Sequence, residues 1–283
     1  MVFIALLSHP KTKSGLLGVS FAMAGGFMYK RYSVSGEDKS NASDVILYAG
    51  GDDPDQVPSH IFDNRPWNWN WDGRHGKPYG GTRTLVFVRH GQYIHAKSGL
   101  DADRVLTALG KEQAVITGKR LATLFPETTK IDKIVYSTMA RATETFDIIC
   151  KQLPYNVPNE PSDLIREGCV YRPIPKHPTW QPTEEEFEVD GARIERAFQT
   201  FIHRSTCRSD KADNGNHITV FVCHGNVIRY IFMNALQLPK SAWLRTSVAN
   251  CSITILKIHA DGTVRTSLLG GTGHFPQDKI SYN

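Results

Sequence analysis

Arg89-His90-Gly91 closes an apolar run of strand character, Thr84-Leu-Val-Phe-Val88. Far downstream, Ile218-Thr-Val-Phe-Val-Cys223 ends in His224-Gly225-Asn226. Open α/β sheets gather ligands beyond the carboxyl ends of their strands. Glycine at such a point lets a backbone N–H come close to an anion. One imidazole can attack phosphorus while the other, with an arginine, holds the charge developing on the phosphoryl oxygens. That is the chemistry of a phosphohistidine intermediate. A lone strand-end histidine is more often structural, so the pair gains weight only if further residues follow in the right order.

Two further segments supply them. Ser137-Thr-Met-Ala-Arg-Ala-Thr-Glu144 follows a second strand and puts Arg141 in the first turn of the next helix. Backbone N–H groups and an arginine there converge on an anion. Leu164-Ile-Arg-Glu167-Gly168 adds a carboxylate before a glycine. Taken singly, Arg141 reads equally as a solvated helix arginine, and Glu167 reads more often as a solvated loop carboxylate.

The elements that must position these residues alternate between β and α from residue 82 onward. Thr84–Val88 is expected as a strand. Thr107 caps a helix to about Leu124, with Ala114, Gly118, Leu121 and Phe125 along one face. A strand at Lys133–Ser137 leads into a helix at Ala140–Gln152. An amphipathic helix covers roughly 183–203, marked by Phe187, Gly191, Ile194, Phe198 and Phe201. His217–Cys223 is a strand and Val227–Leu236 a helix. Cys251–Ile258 and Thr263–Leu269 flank Ala260-Asp-Gly262, a hairpin signal. The pattern predicts an α/β fold, a three-layer helix–sheet–helix sandwich with a mostly parallel central sheet.

The 283 residues allow one domain of about 200 residues plus appendages. A formal net charge of +5 is mildly basic, but no Lys/Arg block stands out, so a nucleic-acid surface is not expected. Such a balance suits phosphorylated substrates or an anionic membrane. The five cysteines are odd in number and form no CxxC; a disulfide framework or zinc site is not expected.

Residues 15–29 form an uncharged, largely apolar run flanked by Lys11, Lys13, Lys30 and Arg31. Short of the roughly 20 residues of a spanning helix, it reads as an N-terminal membrane anchor over 1–31. A secretory signal and an organelle-targeting sequence compete with that reading. Residues 32–66 are polar, with scattered Gly and Pro, and read as a flexible tether. Trp67-Asn-Trp-Asn-Trp-Asp72 then places three of five tryptophans within five residues. The segment is either a docking tag or folded back on its own domain. A boundary is expected near residue 80.

Strand–Arg-His-Gly, strand–Ser-x-x-x-Arg-Ala-x-Glu, Leu-x-x-Glu-Gly and strand–x-His-Gly, in that order, resemble the histidine phosphatase (phosphoglycerate mutase-like) superfamily. The likeness covers about 67–283, with the catalytic domain at 82–283, and points to its mitochondrial, membrane-bound protein phosphatases. It implies that His90 is the nucleophile, that Arg89, Arg141 and His224 bind phosphate, and that Glu167 is acid and then base. His224 counts with His90 and Glu167 as catalytic; no metal and no cofactor is implied. It also implies that Trp67, Asn70, Trp71 and Asp72 belong to a self-assembly motif, in which Asn68 departs from an expected Asp. The implied partners are the chain itself as a homo-oligomer, phosphoserine/phosphothreonine proteins including a stress-activated kinase and mitochondrial-dynamics proteins, and the mitochondrial membrane. The outer membrane is favoured over the inner. Glu167 is followed by Gly-Cys-Val-Tyr-Arg-Pro-Ile-Pro175 rather than a mutase-like Glu-Arg-His-Tyr-Gly run, which favours a phosphatase in stress signalling over a mutase or small-molecule phosphatase. A scaffold with vestigial catalysis is the remaining alternative.

Overall fold

The computed structural model describes residues 17–24, 27–34, 46–48, 66–74, 81–205 and 216–282. They belong to two compact units that divide between Asn64 and Arg65. In the first, β1 (Leu17–Ala24) and β2 (Phe27–Val34) pair antiparallel, from Leu17↔Val34 to Ala24↔Phe27, and β3 (Ile46–Tyr48) adds to β2. Two residues, Gly25-Gly26, separate the strands in sequence, a hairpin signal, and each glycine costs a helix about 1 kcal/mol relative to alanine. Among the described residues no helix is long and apolar enough to cross a membrane. Lys11, Lys13, Cys207 and most of the 32–66 tether lie outside the described residues.

The second unit is organised by a six-stranded sheet. Its strands are β4 (Arg83–Arg89), β5 (Lys133–Ser137), β6 (Asn159–Ser162), β7 (His217–Cys223), β8 (Ile253–Ile258) and β9 (Val264–Gly271), in spatial order β6-β5-β7-β4-β8-β9. β6, β5, β7 and β4 run parallel; β8 is antiparallel to β4, and β9 to β8. The helices are α1 (Ala108–Leu124), α2 (Ala140–Cys150), α3 (Glu184–Phe201) and α4 (Gly225–Ala235).

Strand alternation sorts the core into two layers. Leu85 and Phe87 of β4 pack with Ile194 and Phe198 of α3 and Val227 and Ile231 of α4. Val86 and Val88 point the other way, toward Leu121 of α1 and Phe146 and Ile149 of α2. A strand buried on both faces reads as a continuous apolar run, which is how β4 and β7 appear in sequence. Each such side chain, fully buried, contributes roughly 1.5–3 kcal/mol. Phe87 and Phe221 stack at 4.9 Å and lock β4 to β7.

The helix starts are set by local chemistry. Thr107 Oγ1 accepts from Gly110 N at 3.0 Å and caps α1. Thr183 and Glu186 form a capping box at the start of α3. β6 was not visible in the sequence, because Asn159-Glu-Pro-Ser162 lacks apolar alternation. It is an edge strand, the place where Pro161 is tolerated.

The unit begins at Arg65 rather than near residue 80. Trp67 and Trp71 pack against the α3/α4 core layer, and Trp71 Nε1 donates to Gly262 O at 2.9 Å. Gly262, at φ +92°, turns the chain between β8 and β9.

Candidate active site

In the parallel register of β4 and β7, Arg89 lies opposite Cys223. The next residue on each strand is therefore a histidine at the carboxyl end of the sheet. The rings of His90 and His224 have centroids 5.1 Å apart, and both residues are buried. His90 Nδ1 lies 2.8 Å from Gly91 O. Carrying its proton on Nδ1 to donate to that carbonyl leaves Nε2 as a free lone pair. His224 Nε2 lies 2.8 Å from Ser137 Oγ, which also accepts from Met139 N at 3.3 Å. With Ser137 donating to Nε2, the imidazole proton sits on His224 Nδ1, the tautomer that leaves a donor for an anion. That buried Nδ1 has no hydrogen-bond partner among the described residues.

Two glycines bring α1 against the nucleophile loop. A Cβ on Gly91 would lie 2.6 Å from Gly110 O, and a Cβ on Gly110 would lie 2.0 Å from Gln92 O. Gly91 N donates to Thr145 Oγ1 of α2 at 3.0 Å, fixing the loop from the other side.

Arg89 is held by Val248 O at 2.8 Å and lies against Gly225, where a Cβ would meet its Nε at 3.5 Å. Arg141 is 3% exposed, so its charge has almost no water. Its Nη1 reaches Asp101 Oδ1 at 3.4 Å, its guanidinium covers the Tyr93 ring at 4.7 Å, and its buried Nε has no hydrogen-bond partner among the described residues. Ala140 N, at the start of α2, donates to Asp101 Oδ2 at 3.0 Å. The helix terminus expected to meet an anion thus already meets a carboxylate of its own chain.

Glu167 is half-buried at the end of its loop. Its Oε1 accepts from Gly168 N at 3.2 Å and its Oε2 from Asn226 N at 3.4 Å. Burial raises its pKa, with Arg89 and Arg141 pulling the other way. Burial holds His90 well below the usual imidazole range, reinforced by Arg89 and Arg141. His224 is depressed in the same way by burial, then by His90. Both imidazoles are therefore neutral at physiological pH, as a nucleophile and a hydrogen-bond donor require.

The structure brings His90, His224, Arg89, Arg141 and Glu167 to one site. Trp67, Asn70, Trp71 and Asp72 lie at the opposite end of the sheet. There Asp72 accepts from Arg204 N at 2.8 Å, Nε at 3.0 Å and Nη2 at 2.6 Å, and its side chain is fully buried. Trp69, by contrast, is 59% exposed. Asn68 Oδ1 accepts from Asn70 N at 2.9 Å, closing a local turn. Sequence reasoning gave no role to Ser137, Tyr93 or Asp101, although Ser137 ends a strand beside the site and carried that signal.

A paired, neutral imidazole couple flanked by two desolvated arginines and a carboxyl with a raised pKa is a phosphoryl-transfer site. The model of the histidine phosphatase superfamily (branch 1) matches residues 85–268, and the chain belongs to that superfamily, with its phosphoglycerate mutase-like sandwich. The chain is similar to serine/threonine-protein phosphatase PGAM5, mitochondrial, of Mus musculus, with 47% identity over 71% of this chain and 66% of that protein. It is also similar to the protein of that name in Xenopus laevis, at 48% identity over 71% of this chain and 69% of that one. The chain thus spans just under two thirds of the mouse relative's length. Among solved structures, phosphoglycerate mutase from Plasmodium falciparum is 30% identical, with a TM-score of 0.47, covering 72% of this chain and all of that one.

Proposed function

We propose that this chain is a mitochondrial protein serine/threonine phosphatase that works through a phosphohistidine. The observation that carries it is the geometry of His90 and His224, with Arg89, Arg141 and Glu167 around them. His90 Nε2 attacks phosphorus, and the bond to the serine or threonine oxygen breaks. Glu167 gives that oxygen its proton. Arg89, Arg141 and His224 Nδ1–H take up charge on the phosphoryl oxygens. Glu167, now a carboxylate, draws a proton from water, which attacks the phosphohistidine and releases inorganic phosphate. The protein-substrate class and the compartment draw their support from the printed names of the relatives.

Phosphate release from a phosphothreonine peptide tests this directly, with wild type against His90→Ala. Loss of at least about a thousand-fold with the fold intact by circular dichroism is expected. Equal activity in both, or turnover of phosphoglycerate alone, would overturn it.

Self-assembly in stress signalling and attachment to a mitochondrial membrane through residues 1–31, the outer ahead of the inner, complete the reading. Exposed Trp69, edge-on to Trp67 at 6.5 Å, and the apolar run with its flanking cations support them. Trp71→Ala is expected to shrink the particle in sedimentation and lower activity together. An unchanged profile removes the tryptophan segment from assembly. Extraction of the full chain from mitochondria by alkaline carbonate counts against attachment.

A further inference from the structure

The loop that presents Glu167 is gripped from two helices by residues outside the phosphate-binding set. From α3, Arg193 Nη1 donates to the carbonyls of Asp163 at 3.3 Å, Leu164 at 3.1 Å and Arg166 at 2.7 Å. Its Nη2 donates to Glu167 O at 3.1 Å and to Asp190 Oδ1 at 2.8 Å. The other oxygen of Asp190 accepts from Cys169 N at 3.0 Å, just beyond the carboxyl. From α4, Asn226 N donates to Glu167 Oε2, and Asn226 Nδ2 donates to Gly168 O at 3.1 Å. Arg229 Nη1 lies 3.4 Å from Asn226 Oδ1, which sets the end of the amide that faces Gly168. Gly168 leaves no room for a side chain, since a Cβ there would be 2.4 Å from Asp190 Cγ and 2.6 Å from Arg193 Nη2.

A general acid acts only from within hydrogen-bond reach of the oxygen it protonates. Glu167 stands in a loop, not on a helix or strand, so its aim must come from elsewhere. A guanidinium with five fixed donors can collect several carbonyls into one geometry. An ammonium, a point charge, cannot reproduce that fork. We propose that Arg193 and Asn226 are positioning residues for Glu167: together they set the reach of its carboxyl to the leaving oxygen. The proposal rests on the reading of Glu167 as the acid of the phosphatase reaction.

The leaving group gives the test. A p-nitrophenolate departs without a proton, whereas a threonine alkoxide does not. kcat/KM is measured on the full chain with p-nitrophenyl phosphate and with a phosphothreonine peptide, for wild type, Arg193→Met, Arg193→Lys, Asn226→Ala and Glu167→Gln. Arg193→Met and Asn226→Ala are each expected to lose about ten-fold or more on the peptide while staying within about three-fold on p-nitrophenyl phosphate. Arg193→Lys should fall between wild type and Arg193→Met. Equal losses on both substrates in a folded variant, or no loss on either, overturn the proposal. If Arg193→Met fails to fold, Asn226→Ala carries the test, since its side chain holds the loop by a single hydrogen bond, to Gly168 O, among the described residues. Equal losses on both substrates in Glu167→Gln remove the acid itself, and that variant alone tells the failure of the reading from the failure of the clamp.

Discussion

The two ends of the central sheet treat buried charge in opposite ways. At the carboxyl end, Arg141 Nε and His224 Nδ1 are buried without hydrogen-bond partners among the described residues, and the Asp101 carboxylate stands 3.4 Å from Arg141. At the amino end, Asp72 and Arg204 are joined by three hydrogen bonds, and Arg74 N adds another to Asp72 at 3.2 Å. Burial pushes the Asp72 carboxyl up, but the bonds from Arg204 outweigh it and leave the pKa below its ordinary value. A buried polar atom without a partner costs about 1–3 kcal/mol. The fold bears that cost where a phosphoryl group can supply the missing contacts. Where it needs only to hold its own chain, it pairs the charge.

The contrast can be broken first at Arg141. Arg141→Met keeps the side-chain volume and removes an incompletely paired buried charge. Activity is expected to fall about 10²–10³-fold, with thermal stability unchanged or raised. A clear loss of melting temperature would show that the charge serves the fold. Asp72→Ala should do the reverse. It strands Arg204 and is expected to cost roughly 3–5 kcal/mol of stability, read by denaturant unfolding, with kcat/KM per folded monomer on p-nitrophenyl phosphate falling only as far as the particle shrinks in sedimentation. A large fall at unchanged particle size would tie the two ends together.

The smallest effect is in the pH profile. Because His90 is depressed, its neutral form persists as pH falls through the ordinary imidazole range, so the peptide kcat/KM should not drop there for want of a nucleophile. Because Glu167 is raised, its acid form persists above the ordinary glutamate range and is lost as pH rises through the shifted value. The peptide kcat/KM should then fall about ten-fold per pH unit, while p-nitrophenyl phosphate, which needs no proton, escapes that limb. Parallel profiles for the two substrates would reassign Glu167.

What was legible in the sequence follows the range of the interactions. His90 and His224 could be read because each sits directly after an apolar strand and before glycine. Arg141 could be read because it follows a strand by a fixed short distance. β4, β7 and α1 announce themselves by periodicity and by the Thr107 cap. The contacts that tune the site are different in kind. Asp101 meets Arg141 across 40 positions, and Ser137 meets His224 across 87. No local pattern encodes such pairings. The tryptophan segment was balanced between docking and folding back, because composition does not say what covers a ring; Phe198 and Gly262 O cover Trp71. The apolar run at 15–29 carries two opposed signals, its hydropathy and the Gly25-Gly26 pair that splits it, and composition does not rank them.

Two cysteines frame the site: Cys223 immediately precedes His224, and Cys251 N donates to Arg89 O at 3.0 Å. Both are fully buried, and burial pushes both thiols far above their ordinary range. Neither offers a thiolate to peroxide or to an alkylating reagent. The nucleophile is a nitrogen and these two thiols stay protonated, so the catalytic step does not depend on a thiolate that an oxidant could consume.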